Sequence, residues 1–130
     1  MDLKKINNVV ITGLGGSAIG GDLFKNFASQ DFPLPIIVNR NYTLPKFINE
    51  STLVIVSSYS GNTEETFAAL QEAYKKCTYI ICVTTGGKIE DFAVEKKLNV
   101  VKLKKGYQPR FALYLNIFTL IRIFENIGLL

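Results

Sequence analysis

Five short runs of apolar residues recur along the chain, with helix-like stretches between most of them. We predict these runs to be strands, at 8–12, 35–39, 52–58, 78–85 and 99–103. Their valines and isoleucines are consecutive rather than alternating with polar residues, which is typical of strands buried on both faces of a sheet. Strands separated by helices form parallel β-α-β units with right-handed crossovers. We therefore expect an α/β three-layer sandwich whose five-stranded parallel sheet has the flavodoxin-like order 2-1-3-4-5.

The stretches between the runs predict four helices, at 17–30, 63–76, 88–97 and 110–128, and a loop, with or without a helical turn, at 41–50. The 130 residues contain no linker or repeat, so we expect a single domain, 1–130. The last helix is apolar on almost every side, although a helix that covers one sheet face needs only an apolar stripe. The surplus predicts a partner surface for a second subunit or a second domain.

Composition excludes several classes of function. The net charge is +4 and the lysines are scattered, without the basic stripe typical of nucleic-acid binding. The chain has no histidine, which removes Ser-His-Asp and Cys-His catalysis and most zinc sites, so we expect no metal. Cys77 and Cys82 are too few for a disulfide framework and are expected to be free thiols in the cytoplasm. No membrane span is expected, because the apolar C-terminal segment is short and is interrupted by Asn116 and Arg122.

Two glycine- and serine-rich loops follow the first and third predicted strands, at 13–21 and 58–66. These strands are neighbours in the expected order, and ligands of open α/β sheets bind beyond the carboxyl ends of the strands where the order reverses. We therefore predict that the two loops converge on one crevice. The segment at 84–88 is a weaker third candidate.

The first loop contains a Gly-x-Gly-x-x-Ala match from Gly13 to Ala18, which resembles a dinucleotide fingerprint. The motif's acidic residue, which would bind the ribose about twenty positions later, is absent. Arg40 lies near that position and could bind the 2′-phosphate of NADP instead. An NADP-binding Rossmann domain is therefore an alternative. Gly20 and Gly21 lie inside the predicted helix, where each glycine costs about 1 kcal/mol, so we expect close approach of another backbone or a ligand.

The second loop indicates an anion site. We predict that Asn62 caps the following helix, with Glu65 completing a capping box. The free N–H groups of that helix N-terminus would then face the loop, where Ser58, Ser60 and Thr63 add hydroxyl donors. No lysine follows the glycine, as it would in a nucleotide-binding P-loop. The pattern favours the terminal phosphate of a phosphate monoester.

Three segments occur in order before the long apolar helix: GLGGSAIGGDL (13–23), SYSGNTEET (58–66) and GYQPR (106–110). Together they resemble the bifunctional phosphoglucose/phosphomannose isomerases, a branch of the sugar isomerase (SIS) superfamily. The resemblance covers nearly the whole chain. It implies an SIS fold, two SIS domains per full-length chain, dimerisation, and catalysis without a cofactor. It also implies interconversion of glucose 6-phosphate or mannose 6-phosphate with fructose 6-phosphate through a cis-enediol.

The resemblance also implies roles for individual residues. Gly16 and Ser17 match substrate-binding positions, Ser58, Ser60 and Thr63 match phosphate-binding hydroxyls, and Arg110 matches an arginine near C1 and C2 of the sugar. Pro109 suits a first helical position, which places Arg110 in the first turn, where the helix dipole disfavours a cation. A guanidinium there can stabilise the negative charge of an enediol, so Arg110 is the predicted catalytic residue.

The sequence lacks part of the catalytic apparatus that the resemblance implies. Proton transfer between C2 and C1 needs a general base, and in the family a glutamate, a histidine and a lysine come from the second half of the enzyme. Glu64 and Glu65 are better explained by the helix N-terminus. We expect the N-terminal half of a two-domain isomerase that is incomplete for catalysis alone. The alternative is a non-catalytic SIS module that senses a sugar phosphate, using the same hydroxyls without Arg110.

Overall fold

The computed structural model describes residues 3–130, and for Leu3 and Pro109 it describes the backbone alone. Met1 and Asp2 of the predicted domain lie outside the described residues. Ten elements follow one another: a 3-10 turn (Leu3–Lys5), β1 (Asn8–Thr12), α1 (Gly16–Ala28), β2 (Ile36–Asn39), β3 (Thr52–Ser58), α2 (Glu64–Lys76), β4 (Tyr79–Thr84), α3 (Gly87–Glu95), β5 (Asn99–Lys102) and α4 (Pro109–Asn126).

All five strands are parallel and lie in the order β2-β1-β3-β4-β5, which confirms the predicted fold class. The register pairs Thr12 of β1 with Asn39 of β2 and with Val56 of β3. The loops that follow β1 and β3 therefore leave the same edge of the sheet side by side. This placement is what brings the two glycine- and serine-rich loops together.

Alternate residues of each central strand face opposite layers. In β1, Val9 and Ile11 pack toward α1 and α4, whereas Val10 packs toward α2 and α3. The first core contains Phe24 and Phe124, whose rings stack with their centroids 4.8 Å apart. Both faces of the sheet are covered, which explains why the central strands read as continuous apolar runs.

Residues 41–50 form the predicted loop of bends and turns, with one hydrogen-bonded turn in which the N–H of Ile48 donates to the carbonyl of Pro45 at 3.4 Å. The prediction for Gly20 and Gly21 is wrong, because side chains occupy the space where a backbone or a ligand was expected. A Cβ on Gly21 would lie 3.1 Å from Ile11 Cγ2, and one on Gly20 would overlap the Asn116 amide.

The outer surface of α1 and α4 exposes large apolar side chains: Ile19, Leu23 and Phe27 on α1, and Phe111, Tyr114 and Phe118 on α4. We call these six residues the α1/α4 face. Phe27 and Phe118 are 63% and 64% exposed, although most of the chain's other phenylalanines are buried or half-buried. Of the helices in residues 3–130, none is long and apolar enough to cross a membrane.

Candidate functional site

A cleft of about 450 Å³ opens at the carboxyl edge of the sheet. It is lined by Leu14, Gly16, Ser17, Ser57, Tyr59, Ser60, Thr63, Leu103, Tyr107, Ala112, Leu113 and Asn116. Gly16 and Ser17 come from the loop after β1 and the start of α1, and Ser60 and Thr63 come from the loop after β3. The prediction that these two loops converge on one crevice is confirmed.

The hydroxyls of Ser60 and Thr63 are oriented by hydrogen bonds within their own loop. Ser60 Oγ accepts the backbone N–H of Asn62 at 3.1 Å. Ser58 Oγ accepts the N–H of Gly61 at 3.0 Å and lies 3.1 Å from Thr63 Oγ1. When the Ser58 hydroxyl donates the hydrogen bond to Thr63 Oγ1, the hydroxyl hydrogens of Ser60 and Thr63 can both be donated to an acceptor in the cleft.

Ser58 itself is buried and does not line the cleft. It lies behind Thr63 and joins that residue to Gly61 through one hydroxyl. Of the predicted phosphate-binding hydroxyls, two therefore face the cleft directly and the third orients one of them.

The cap of α2 differs from the prediction. The N-cap is Thr63, not Asn62, and Thr63 makes no side-chain capping bond. Glu65 is consequently at the second helical position and cannot complete a capping box. Its carboxylate lies beside the phenol of Tyr42 and raises the pKa of that hydroxyl above its ordinary value. Within residues 3–130 no acceptor is described for the backbone N–H groups of 64–66, so the positive end of α2 remains available to an anion.

Asn62 caps a different helix, α3. Its Oδ1 accepts the N–H of Lys88 at 3.0 Å, and the carbonyl of Gly61 accepts the N–H of Ile89 at 2.9 Å. Gly61 has φ +77°, and a Cβ there would overlap the carbonyl of Gly86. The glycine-rich segment 84–88 therefore supports the loop after β3 from behind and does not line the cleft.

Tyr59 connects the cleft to the loop before α4. Its hydroxyl donates to the carbonyl of Lys104 at 3.0 Å and accepts the N–H of Tyr107 at 3.1 Å. Its own carbonyl accepts both the N–H and the hydroxyl of Thr85, at 3.1 and 2.6 Å. The loops after β3, β4 and β5 are thus tied together at one residue.

Arg110 lies in the first turn of α4 and is exposed. Its side chain is not among those that line the cleft, although Tyr107 and Ala112 on either side of it are. Arg110 therefore stands at the rim, on the element that forms one wall.

No lysine, arginine, aspartate or glutamate side chain lines the cleft in the described part of the chain. The residues at the starts of α1 and α2 do line it, and helix N-termini carry roughly half a positive charge each. Backbone dipoles and hydroxyls are therefore what the cleft offers to an anion. Across residues 3–130, no group of three His, Cys, Asp or Glu residues is placed to hold a metal ion.

Both cysteines are free thiols away from the cleft. Burial raises the pKa of Cys82 to about 12 and that of Cys77 to about 11. Both thiols are therefore protonated near neutral pH and are poor nucleophiles.

Sequence reasoning missed four polar residues that line the cleft: Ser57, Tyr59, Tyr107 and Asn116. Tyr59 and Tyr107 lie in the segments 58–66 and 106–110, and Ser57 immediately precedes the first of these. Asn116 carried a different signal, because it is a polar residue inside an otherwise apolar helix.

Relatives of known name match almost the whole chain. The bifunctional phosphoglucose/phosphomannose isomerase of Caldicellulosiruptor bescii is 50% identical over 127 residues, which are 98% of this chain and 38% of that protein. By sequence, this chain is similar to one part of the bifunctional phosphoglucose/phosphomannose isomerases. The D-glucosamine-6-phosphate 4-epimerase of Sulfolobus acidocaldarius is also similar, at 36% identity over 95% of this chain and 39% of that protein. The chain therefore spans little more than a third of the length of these relatives.

Solved structures share the fold. A hypothetical protein of Methanococcus jannaschii, for which a 3-hexulose-6-phosphate isomerase function was inferred, superimposes with a TM-score of 0.70 at 20% identity. The match covers 98% of this chain and 74% of that one. The match shows the fold, an open five-stranded parallel sheet between two layers of helices. No protein-family model matches the chain.

Proposed function

We propose that this chain is the sugar-phosphate-binding SIS domain of an aldose-ketose isomerase. The reaction interconverts glucose 6-phosphate or mannose 6-phosphate with fructose 6-phosphate through a cis-enediol. The observation that carries the proposal is the convergence of the Ser60 and Thr63 hydroxyls and the α2 N-terminus on one cleft without acidic side chains. A phosphate monoester matches that set, because its terminal oxygens accept several hydrogen bonds and favour a helix N-terminus.

Each predicted residue has a place in this proposal. Ser60 and Thr63 donate to the phosphate, and Ser58 holds the Thr63 hydroxyl in position. Gly16 and Ser17 lie on the opposite wall, where the sugar would extend. The apolar side chains of Leu14, Leu103 and Leu113 would exclude water from the bound ligand.

Arg110 is proposed as the residue that stabilises negative charge on O1 and O2 of the enediol. Its place at the rim requires the side chain to turn inward when a sugar is bound. In a full-length enzyme, Arg110→Ala should lower kcat by roughly 100-fold and affect sugar-phosphate affinity much less, because the charge develops only in the transition state.

A general base is the missing part. No carboxylate or histidine of residues 3–130 lines the cleft. Together with the partial coverage of the relatives, this supports the N-terminal half of a two-domain enzyme, with the base supplied from outside these residues. The chain alone should bind sugar phosphate without turnover.

Binding of fructose 6-phosphate tests the proposal. Thr63→Val removes one hydroxyl at nearly constant volume, and we expect the Kd to rise by roughly 10- to 150-fold, since a hydrogen bond to a charged acceptor contributes about 1.5–3 kcal/mol. Isothermal titration calorimetry measures the change, with Thr43→Val in an exposed loop as the matched control. Equal affinities in Thr63→Val and the wild type would contradict the assigned site.

The two alternatives lead to different outcomes. An NADP site would use Arg40, which forms an exposed ion pair with Asp22; NADP, but not fructose 6-phosphate, would then raise Tm. A sensing module would bind sugar phosphate but show no turnover even in the full-length protein. The names of the relatives do not favour either alternative.

The α1/α4 face supports a partner of the same fold. We propose that it is covered by another SIS domain, either a second copy of this chain or the second domain of the longer protein. Six exposed large apolar side chains on two adjacent helices are typical of an interaction surface rather than of a solvated one. A cytoplasmic location is proposed on the free thiols and on the class of the relatives.

A further inference from the structure

Asn116 is a buried polar residue in the middle of α4. Its side chain lines the cleft, yet the residue is only 4% exposed. The neighbouring residues of α4 are mostly apolar and form the main helix packing with α1. A buried amide in such a place must have its hydrogen bonds satisfied, because an unpaired buried polar group costs about 1–3 kcal/mol.

Both ends of the amide are bonded, and to different elements. Asn116 Nδ2 donates to the backbone carbonyl of Ser17 in α1 at 3.2 Å. Ser57 Oγ at the end of β3 donates to Asn116 Oδ1 at 3.1 Å. The orientation of the amide is determined, because a carbonyl only accepts and the nitrogen must face Ser17.

The Asn116 amide fits against α1 because residue 20 is glycine and has no side chain. Gly20 lies one turn after Ser17 on α1, where a Cβ would overlap Nδ2 and lie 3.2 Å from Cγ of Asn116. Glycine at a helix interior is unfavourable relative to alanine. The close approach of Asn116 is therefore a physical reason for glycine at position 20.

We propose that Asn116 is a positioning residue that sets the width of the cleft by joining α1, β3 and α4. Ser17, which one end of the amide holds, belongs to the wall where the sugar would extend. Ser57, which the other end holds, lines the cleft at the end of β3. This inference rests on the proposed function for the identity of the ligand, but the coupling between Asn116 and Gly20 does not depend on any ligand.

Affinities for two probes separate positioning from general damage. The phosphate-binding groups, Ser60 and Thr63, make no described bond to Asn116. We therefore expect Asn116→Ala to raise the Kd for fructose 6-phosphate by roughly tenfold and to leave the Kd for inorganic phosphate within about twofold. Asn26→Ala, at an exposed position of α1, is the matched control and should change neither value.

Thermal unfolding tests the coupling through a double-mutant cycle. In the wild type, Gly20→Ala displaces the amide and should lower Tm and weaken fructose 6-phosphate binding as Asn116→Ala does. In the Asn116→Ala background the space is free, so Gly20→Ala should raise Tm by about 3 °C through its better helix propensity.

Several outcomes would overturn the inference. One is an equal loss of affinity for fructose 6-phosphate and for phosphate in Asn116→Ala, and another is a Gly20→Ala effect of the same sign in both backgrounds. Should Asn116→Ala fail to fold, Gly20→Ala alone gives the two affinities. A wild-type chain that binds neither probe would contradict the proposed function, while the Tm cycle would still decide the coupling.

Discussion

Glu72 is a carboxylate of α2 that joins two parts of the chain outside the cleft. Its Oε1 accepts the backbone N–H of Leu44 at 2.8 Å, and its Oε2 lies 2.9 Å from Lys76 Nζ. Burial tends to raise the pKa of this carboxyl, but the hydrogen bond from Leu44 and the pairing with Lys76 outweigh burial, so the pKa is lowered. Glu72 therefore holds the loop before β3 against α2 in its ionised form.

This shift predicts a pH-dependent contribution to stability. A carboxyl whose pKa is lower in the folded state stabilises the protein above its unfolded pKa of about 4.3, and that contribution is lost as pH falls through the folded value. Glu72→Gln keeps the acceptor for Leu44 but removes the charge. We expect it to lower the free energy of unfolding by about 0.5–1 kcal/mol at pH 7, since Lys76 is exposed and contributes little.

Urea unfolding of Glu72→Gln and the wild type at several pH values measures this difference. The two proteins should converge as pH falls through the lowered pKa of Glu72. A difference that stays constant from pH 7 to pH 3 would contradict the assignment. Glu50→Gln, in the exposed turn before β3, is the control.

At the scale of elements, the hydroxyl of Tyr59 fastens the loop between β5 and α4 to the rest of the cleft. The loop contains Lys104 and Lys105, which are both exposed and are trypsin sites. The Tyr59 hydroxyl donates one hydrogen bond to this loop and accepts another from it, and the two bonds restrain the loop backbone. The same loop leads directly into the turn that carries Arg110.

Tyr59→Phe should release this loop without disturbing the core, because the ring remains. Loss of two partly exposed hydrogen bonds, of about 0.5–1.5 kcal/mol each, should accelerate local trypsin cleavage at Lys104 or Lys105 by roughly tenfold. Mass spectrometry of limited digests measures the rate. Tyr114→Phe removes an exposed hydroxyl from α4 and is the control; equal rates in Tyr59→Phe and the wild type would argue against the restraint.

At the scale of the whole molecule, the two sides of the sheet differ. The α2 and α3 layer is largely polar outside, whereas the α1 and α4 layer exposes the six apolar side chains of the α1/α4 face. That layer also carries Ser17, Asn116 and Arg110. A partner on this face would therefore lie against the helices that form one wall of the cleft.

Self-association of the chain tests this face. Sedimentation velocity should show a concentration-dependent dimer for the wild type, and Phe118→Glu should abolish it, because a charge in an apolar interface is not compensated. Val94→Glu, on α3 in the opposite layer and 66% exposed, should leave the dimer intact. A wild-type chain that is monomeric at all concentrations would exclude a second copy and leave the second domain as the partner.

Sequence reasoning predicted most of the fold and only part of the site. The strands were predictable because their apolar runs are continuous, and β1 and β3 have the predicted bounds. The helices were predictable from the length and the hydrophobic pattern of the segments between the strands. The cap at Asn62 was wrong because the amide is close to the starts of two helices and bonds α3 instead of α2. The residues around Asn62 in the sequence do not indicate which of the two helices its side chain will cap.

The sequence by itself determined the order of the elements, the parallel sheet and the two loops that meet at its edge, because hydrophobic patterns and turn residues act within a few neighbours along the chain. Only the tertiary structure decided which hydroxyls face the cleft, why position 20 is glycine, and that Tyr59 and Asn116 tie the walls together. These contacts join residues 45 to 99 positions apart in the sequence. Contacts between residues so far apart in the sequence depend on how whole elements pack against each other, and local sequence patterns do not determine that packing.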